Sequence, residues 1–253
     1  MQQPYSGLAQ IYDYLLSGVD YEEWADYLEE IFQVHHIHPC SLLVDLACGT
    51  GNSTIPWAKR GFQTYGVDIS EEMLDWARRK AIREKLDTTF FHQDLREMQL
   101  DLSADVAVLY QDGLNYMLTD ADLERALRCI HYTLRPGGFF IFNMNQVEKL
   151  PAATKPETAV LEEENLMLIW ESHFEPADKT WVIKLTAFQR EDNGFFKKIQ
   201  EEHRERSYSK EEIVPMLKKT GWILQACYRA FSFENPGSGD RNVFYVLQRG
   251  DCT

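Results

Sequence analysis

One glycine-rich run near the start of the chain constrains its fold more than any other feature. Residues 44–54 read Val-Asp-Leu-Ala-Cys-Gly-Thr-Gly-Asn-Ser-Thr, and the apolar residues 42–44 predict a short buried strand leading into it. Gly49 and Gly51 allow a tight turn in which the backbone can approach a ligand closely. A strand, a glycine turn and a helix start together predict a nucleotide pocket at the carboxyl end of a parallel strand.

An acidic residue follows at a spacing typical of ribose recognition. The next predicted strand, 63–67, stops at Asp68, which lies about 20 residues after Asp45, the distance at which an acid meets a ribose hydroxyl. The run is a poor dinucleotide fingerprint, because Thr54 stands where a third glycine would permit close packing of helix on strand. A dehydrogenase is therefore disfavoured.

The first half of the chain alternates strands and helices. Helix starts are predicted at Asp20 and Ser70, whose side chains can cap the first turn. The predicted strands are 42–46, 63–67, 88–92, 105–110 and 139–142. Five strands alternating with helices predict an α/β fold with a doubly wound, mostly parallel, Rossmann-like sheet.

The alternation of predicted strands and helices ends after residue 150. Three β-like runs follow with hairpin turns but no helix between them: 159–174, 180–190 and 195–207. We therefore expect an antiparallel β-sheet inserted after strand five. A helix capped by Ser209 and strands 222–232 and 242–248 should then complete a seven-stranded main sheet. The predicted units are 1–38 (N-terminal lid and helix), 39–150 (core), 151–207 (insert) and 208–253 (C-terminal helix and hairpin).

Composition narrows the functional classes. The net charge of −14 opposes general binding to phosphate backbones, although residues 203–206 form a small basic patch. No run of about 18 apolar residues predicts a membrane span, and no signal peptide is visible. Five scattered cysteines predict a reducing, cytoplasmic setting without structural zinc. No metal site is predicted at the histidines of 35–38, because no acid or cysteine partner is placed nearby.

The pattern Asp-x-Ala-Cys-Gly-Thr-Gly, with Val-Asp-Ile-Ser at 67–70, resembles the class I S-adenosylmethionine (SAM) methyltransferases over residues 42–145. The resemblance implies that SAM is the cofactor, that Asp68 binds both ribose hydroxyls and that Asp94 accepts from the adenine amino group. It implies that Gln111 lies near the methionine portion. The cofactor-binding residues expected are Tyr5, Tyr12, Asp45, Ala47, Cys48, Gly49, Gly51, Asp68, Ile69, Met73, Asp94, Leu95 and Gln111.

A narrower resemblance extends over the whole chain. Tyr12-Asp13, Asp20-Tyr21, the loop 112–116 and the antiparallel insert are similar to the bacterial amino-sugar N-methyltransferases, and to further bacterial proteins with Leu-Asn-Tyr after strand four. This resemblance implies that the insert builds the acceptor pocket and a homodimer contact. It also implies that N-terminal tyrosines close over SAM, and residues 1–20 are expected to act as a mobile lid.

The function expected is methyl transfer from SAM to nitrogen or oxygen of a small-molecule acceptor. Two alternatives stay open: an RNA-modifying methyltransferase of the same fold, and a protein that binds SAM without turnover. An amine or hydroxyl acceptor can need a base, and the candidate catalytic residues are His203, Asn115 and Tyr116. Asp112 and Asn143 are also placed where an acceptor could sit.

Overall fold

The computed structural model describes residues 8–37 and 41–250. The helices are α1 (Ala9–Leu15), α2 (Tyr21–Val34), α3 (Thr54–Lys59), α4 (Glu71–Glu84), α5 (Asp120–Thr133) and α6 (Lys210–Lys219). The strands are β1 (Leu42–Leu46), β2 (Gln63–Asp68), β3 (Thr88–His92), β4 (Ala104–Leu109), β5 (Leu134–Asn145), β6 (Glu157–Glu163), β7 (Leu166–Glu175), β8 (Thr180–Arg190), β9 (Phe196–Arg206), β10 (Trp222–Arg229) and β11 (Asn242–Arg249). None of the helices in these two ranges is long and apolar enough to span a membrane.

Seven strands form the main sheet, in the order β10-β11-β5-β4-β1-β2-β3. β1 pairs in parallel with both β2 and β4, while β11 runs antiparallel to β5 and β10. The predicted doubly wound sheet is therefore confirmed. The strand order reverses between β1 and β4, and a crevice opens at the carboxyl ends of strands at such a point.

Both faces of the sheet are covered, which is why its strands are almost continuously apolar. Val44, Leu46 and their neighbours face α5 and α6, whereas Leu43 faces α2 and α3. On the second face the rings of Phe32 and Trp57 stack with centroids 5.4 Å apart, and both side chains are fully buried. Each such burial contributes about 1.5–3 kcal/mol, so these rings fix α2 and α3 against the sheet.

The predicted helix starts are confirmed at Asp20 and Ser70. Asp20 Oδ1 accepts hydrogen bonds from the backbone N–H groups of Glu22 and Glu23, at 3.0 and 3.1 Å. Ser70 Oγ accepts from the N–H of Met73 at 3.3 Å. Each cap stabilises its helix by about 0.5–2 kcal/mol. The Ser70 cap also fixes the turn that directly follows Asp68.

The inserted sheet has four strands in the order β6-β7-β8-β9, all antiparallel. The prediction of one run over 159–174 was wrong, because the chain turns back at 164–165 and Glu163 pairs with Leu166. β5 is also longer than the predicted 139–142. β5 begins at Leu134, and its proline and glycines stand at 136–138. The pairing of β5 with β4 is irregular between Ala104 and Val106, and this irregularity accommodates those residues.

α1 was not predicted as a helix. Its seven residues make two turns, too few for a clear period. Leu8 and Ile11 are buried in an apolar cluster with side chains of β7, β8 and β9. The N-terminal segment 8–16, called the strap below, therefore lies against the inserted sheet.

Candidate active site

One cavity of about 520 Å³ lies at the carboxyl ends of β1, β2 and β4, and β9 closes its far side. This volume is within the range of small-molecule sites, about 300–1,000 Å³. The cavity joins three parts of the chain that are distant in sequence: the strap, the core loops and the insert. Of the residues expected to bind the cofactor, those that line it are Tyr12, Ala47, Cys48, Gly49, Asp68, Ile69, Met73, Asp94, Leu95 and Gln111. Tyr5 lies outside the described residues.

The loop after β1 has a strained backbone. Ala47 adopts a left-handed conformation with φ of 52°, which costs about 1–2 kcal/mol for a residue with a Cβ. Gly51 has φ of 80°, and a Cβ there would lie 3.0 Å from Cβ of Ala77 on α4. The glycine therefore lets α4 approach the loop. Gly51 does not line the cavity, so its place in the site is to shape the loop.

Asp68 is the best-placed ribose ligand. Its Oδ2 accepts from the N–H of Gly49 and its Oδ1 from the N–H of Ser70, both at 2.8 Å. Burial raises the pKa of this carboxyl, and the backbone donors partly offset that rise. Each oxygen keeps a second lone pair, and the side chain lines the cavity. The two oxygens of Asp68 can therefore each accept a hydrogen bond from a ribose hydroxyl.

Asp45 lies behind the loop, contrary to its expected contact with the cofactor. It is fully buried, it does not line the cavity, and its Oδ2 accepts from the hydroxyls of Ser53 and Thr54 at 2.6 Å. Burial raises its pKa to about 7. Thr54 stands where a dinucleotide fingerprint would have its third glycine. Its hydroxyl anchors the loop to β1 through Asp45.

The predicted adenine end contains Ile69, Met73, Asp94 and Leu95. Asp94 is held by a residue that sequence reasoning missed: Arg96 Nε lies 2.9 and 3.0 Å from its two carboxylate oxygens. Burial raises the pKa of Asp94, but the Arg96 partner outweighs it and leaves the pKa below its ordinary value. The carboxylate is therefore charged at neutral pH and fixed in orientation.

The strap is bonded to the core loops at the side of the cavity. Asp13 Oδ1 accepts from Thr50 Oγ1 at 2.6 Å and from Asn52 Nδ2 at 3.0 Å. Its Oδ2 lies 2.5 Å from Nζ of Lys80, which is largely buried on α4. Tyr12, next in the chain, lines the cavity and contacts the Gly49 turn. These contacts tie the strap to the predicted cofactor loop.

Tyr21 also lines the cavity, beside Gln111. Its hydroxyl donates to Gln111 Oε1 at 3.3 Å, and burial raises its pKa to about 12. Gln111 and Asp112 both have positive φ, 48° and 66°, at the end of β4. A Cβ on Gly113 would lie 3.1 Å from Cβ of Ala47. The loops after β1 and β4 therefore cross in contact, and this crossing shapes the floor of the cavity.

The far end of the cavity contains two of the three candidate catalytic residues. Tyr116 and His203 both line it, and the Tyr116 hydroxyl lies 3.4 Å from His203 Nδ1. His203 Nε2 lies 3.3 Å from Oε2 of Glu201, and both side chains are almost fully buried. Sequence reasoning missed Glu201. The sequence signal for Glu201 is the alternation of side chains along β9, which places residues 199, 201 and 203 on one face of the strand.

Asn115, the third candidate, is not placed to touch an acceptor. It is fully buried and does not line the cavity. Its Nδ2 donates to the carbonyls of Asn145 and Arg206 at 2.9 and 2.8 Å, so it joins β5 to β9. Asn143 is also fully buried, and it donates to Asp112 at 2.5 Å. Both asparagines support the cavity from behind.

Comparison with known proteins identifies relatives along the whole chain. A family model described as "Methyltransferase domain" matches residues 43–138. The Bacillus subtilis protein named "Putative methyltransferase YqeM" is 30% identical over 97% of this chain and 97% of its own length. A crystal structure of a SAM-dependent methyltransferase from Clostridium acetobutylicum is 28% identical, with a TM-score of 0.85, and covers 98% of this chain and 100% of that one.

One further relative is named for an amino-sugar substrate, and one further solved structure shares the fold. The dTDP-3-amino-3,4,6-trideoxy-α-D-glucopyranose N,N-dimethyltransferase of Streptomyces venezuelae is 30% identical over 53% of this chain and 55% of its own length. The crystal structure of Streptomyces venezuelae DesVI covers 96% of this chain and 98% of that one, with 21% identity and a TM-score of 0.74, and shares the fold.

Proposed function

The chain belongs to the SAM-dependent methyltransferases, and from that premise we propose that it methylates nitrogen or oxygen of a small-molecule acceptor. SAM supplies a methyl group made electrophilic by its sulfonium. We assign the ribose to Asp68, the adenine to the Ile69 and Asp94 side, and the methionine portion to the loop after β1 and to Gln111.

One observation carries the proposal: a single cavity contains both the predicted cofactor residues and a hydrogen-bonding cluster from the insert. Asp68 lies on the core side, whereas Tyr116 and His203 lie on the far side. Two reactants held in one cavity react at a high effective concentration. Tyr12 of the strap lines this cavity, and exclusion of water from the bound reactants would favour displacement over hydrolysis.

The enclosure and the charge of the protein support a small acceptor. The cations nearest the far end are already paired: Arg204 with Glu175 and Glu202, and Arg206 with Asp120 at 2.8 Å. Relatives include an amino-sugar N,N-dimethyltransferase, so we place amines first and hydroxyl compounds second among the acceptors to be tried. A cytoplasmic location and a homodimer remain predictions from the sequence.

The proposal is tested in two stages. Calorimetry with SAM, S-adenosylhomocysteine and NAD establishes cofactor choice, and we expect binding of the first two alone. A panel of small amines and hydroxyl compounds is then screened for release of S-adenosylhomocysteine.

SAM binding without turnover on any acceptor would favour the non-catalytic alternative. Binding of NAD without SAM would contradict the proposed cofactor role of the cavity.

A further inference from the structure

Glu201 connects the strap to the imidazole of His203. Its Oε1 accepts from the backbone N–H of Leu8 at 3.1 Å, and its Oε2 lies 3.3 Å from His203 Nε2. The Glu201 side chain is only 4% exposed. Both oxygens of one buried carboxylate are therefore engaged, one by the strap and one by a candidate catalytic group.

The strap is held at both ends. At its start, Leu8 and Ile11 pack into the inserted sheet beside Glu201. Near its end, Asp13 bonds the loop after β1 and Lys80. A segment anchored to both the cofactor loop and the insert can couple events at these two places.

We propose that Glu201 is a positioning residue which orients His203 for proton acceptance while the strap is bound to it, an inference that rests on the proposed function. The Leu8 N–H fixes the carboxylate through Oε1, and the negative charge of Oε2 beside His203 Nε2 favours a proton on that nitrogen. The ring is held in the tautomer whose Nδ1 lone pair faces the Tyr116 hydroxyl. The base is complete only while the strap holds the carboxylate.

Proton and electrons balance along this path. The acceptor nitrogen or oxygen forms a bond to the methyl carbon, and the departing sulfur keeps the electron pair of the carbon–sulfur bond. The acceptor proton passes to the Tyr116 oxygen as Tyr116 gives its own proton to His203 Nδ1. Glu201 stabilises the resulting imidazolium by its negative charge. The arrangement of carboxylate, imidazole and hydroxyl follows the general logic of an oriented base.

Two substitutions separate the roles of Glu201. Glu201→Gln keeps an oxygen for the Leu8 N–H, but its amide donates to His203 Nε2 and so reverses the tautomer. Glu201→Ala removes both contacts. The matched control is Glu171→Gln, an exposed position on β7 of the same sheet. All variants are studied as the full chain with S-adenosylhomocysteine bound.

Nitrogen NMR of 15N-histidine-labelled protein reports which ring nitrogen carries the proton. His203 is identified by the signal lost in His203→Gln. We expect the Nε2–H form in wild type and in Glu171→Gln, and the Nδ1–H form in Glu201→Gln. Hydrogen exchange over residues 8–16 should be about tenfold faster in Glu201→Ala, since a charge-assisted hydrogen bond is lost, and faster by a smaller factor in Glu201→Gln, which keeps a neutral acceptor oxygen.

The same tautomer in wild type and Glu201→Gln would overturn the proposal, as would unchanged exchange in Glu201→Ala. These two measurements need no acceptor, so they succeed or fail independently of the proposed reaction. With an acceptor from the screen, Glu201→Gln should lower kcat about 100-fold while leaving SAM affinity unchanged. An unaltered kcat would likewise overturn the proposed role.

Discussion

At the residue scale, Asp68 bonds the two loops beside the cavity and is the proposed ribose ligand. The N–H groups of Gly49 and Ser70 each occupy one of its oxygens. We expect Asp68→Ala to weaken SAM binding by about 10- to 150-fold, because a hydrogen bond to a charged group contributes about 1.5–3 kcal/mol. Calorimetry measures the change.

Asp101→Ala is the control for this substitution, since Asp101 is exposed and far from the cavity lining. Asp68→Asn keeps one carbonyl oxygen and should retain part of the affinity. Wild-type affinity in Asp68→Ala would show that the ribose is bound elsewhere.

Asp112 makes the stability of the protein depend on pH. Asp112 is partly buried near Glu205, which is buried. Desolvation raises the pKa of both carboxyls, although Asn242 and Asn143 donate to Asp112 and moderate its rise. The charge of Asp112 further raises the pKa of Glu205. A carboxyl with a raised pKa holds its proton more tightly in the folded state than in the unfolded state, so its stabilising contribution is lost as pH increases.

We therefore expect the contribution of Asp112 to the free energy of unfolding to fall from about pH 4 through neutrality. Asp112→Asn should reduce this slope, because the amide has no proton to lose, and asparagine tolerates the left-handed backbone at this position. Urea unfolding at acidic and neutral pH measures both slopes. Asp45 and Glu205 leave a residual slope in the variant. Equal slopes in the two proteins would mean that the pKa of Asp112 is the same in the folded and unfolded states.

At the element scale, Gly66 determines how closely β2 and β3 pack beside the cavity. A Cβ at Gly66 would lie 2.5 Å from Phe90 Cδ1 and 2.9 Å from Cys48 Sγ. Gly66→Ala should destabilise the protein by about 1–3 kcal/mol through overpacking. Gly18→Ala is the control, because nothing lies within 4 Å of that position.

Chemical denaturation gives the cost, and Phe90→Ala offers an internal check on its cause. The added methyl should cost less in the Phe90→Ala background, because the two positions are in contact. An equal cost in both backgrounds would place the strain outside this contact.

The sequence predicts the elements whose signals are local. The starts of α2 and α4 follow from capping side chains, and the main sheet follows from buried apolar runs separated by helices. α1 could not be predicted in this way. Its stability comes from burial of Leu8 and Ile11 against strands more than a hundred residues away, and that contact leaves no local pattern.

The residues of the candidate site also fall into those that the sequence predicts and those that depend on contacts between distant parts of the chain. Asp68, Asp94 and Gln111 could be placed because the carboxyl ends of parallel strands meet at one edge of the sheet. The roles of Asn115 and Glu201 depend on how β9 packs beside the turn at 113–116, and only the tertiary structure reveals that packing. The sequence alone therefore does not predict residues whose role depends on contacts with a distant part of the chain.

At the scale of the whole molecule, the chain combines a seven-stranded core sheet with an inserted four-stranded sheet, whose strand β9 lines the far side of the cavity. Acidic side chains outnumber basic ones by 40 to 26, giving a net charge of −14. Such a surface repels a polyanion at long range. The Arg204 and Arg206 region does not reverse this, since both side chains are paired with carboxylates.

We therefore expect only weak binding of bulk cellular RNA, and no methyl incorporation into it at low or physiological salt. Filter binding at both salt concentrations, paired with a transfer assay using SAM labelled in its methyl group, measures this. Each phosphate contact on a single strand contributes a slope of about −0.7 in log affinity against log salt. Arg204→Ala should leave the weak binding unchanged if the arginine serves only its carboxylate partners. Steep salt dependence together with methylated RNA would instead favour the RNA-modifying alternative, and would require that the strap and insert open to admit a strand.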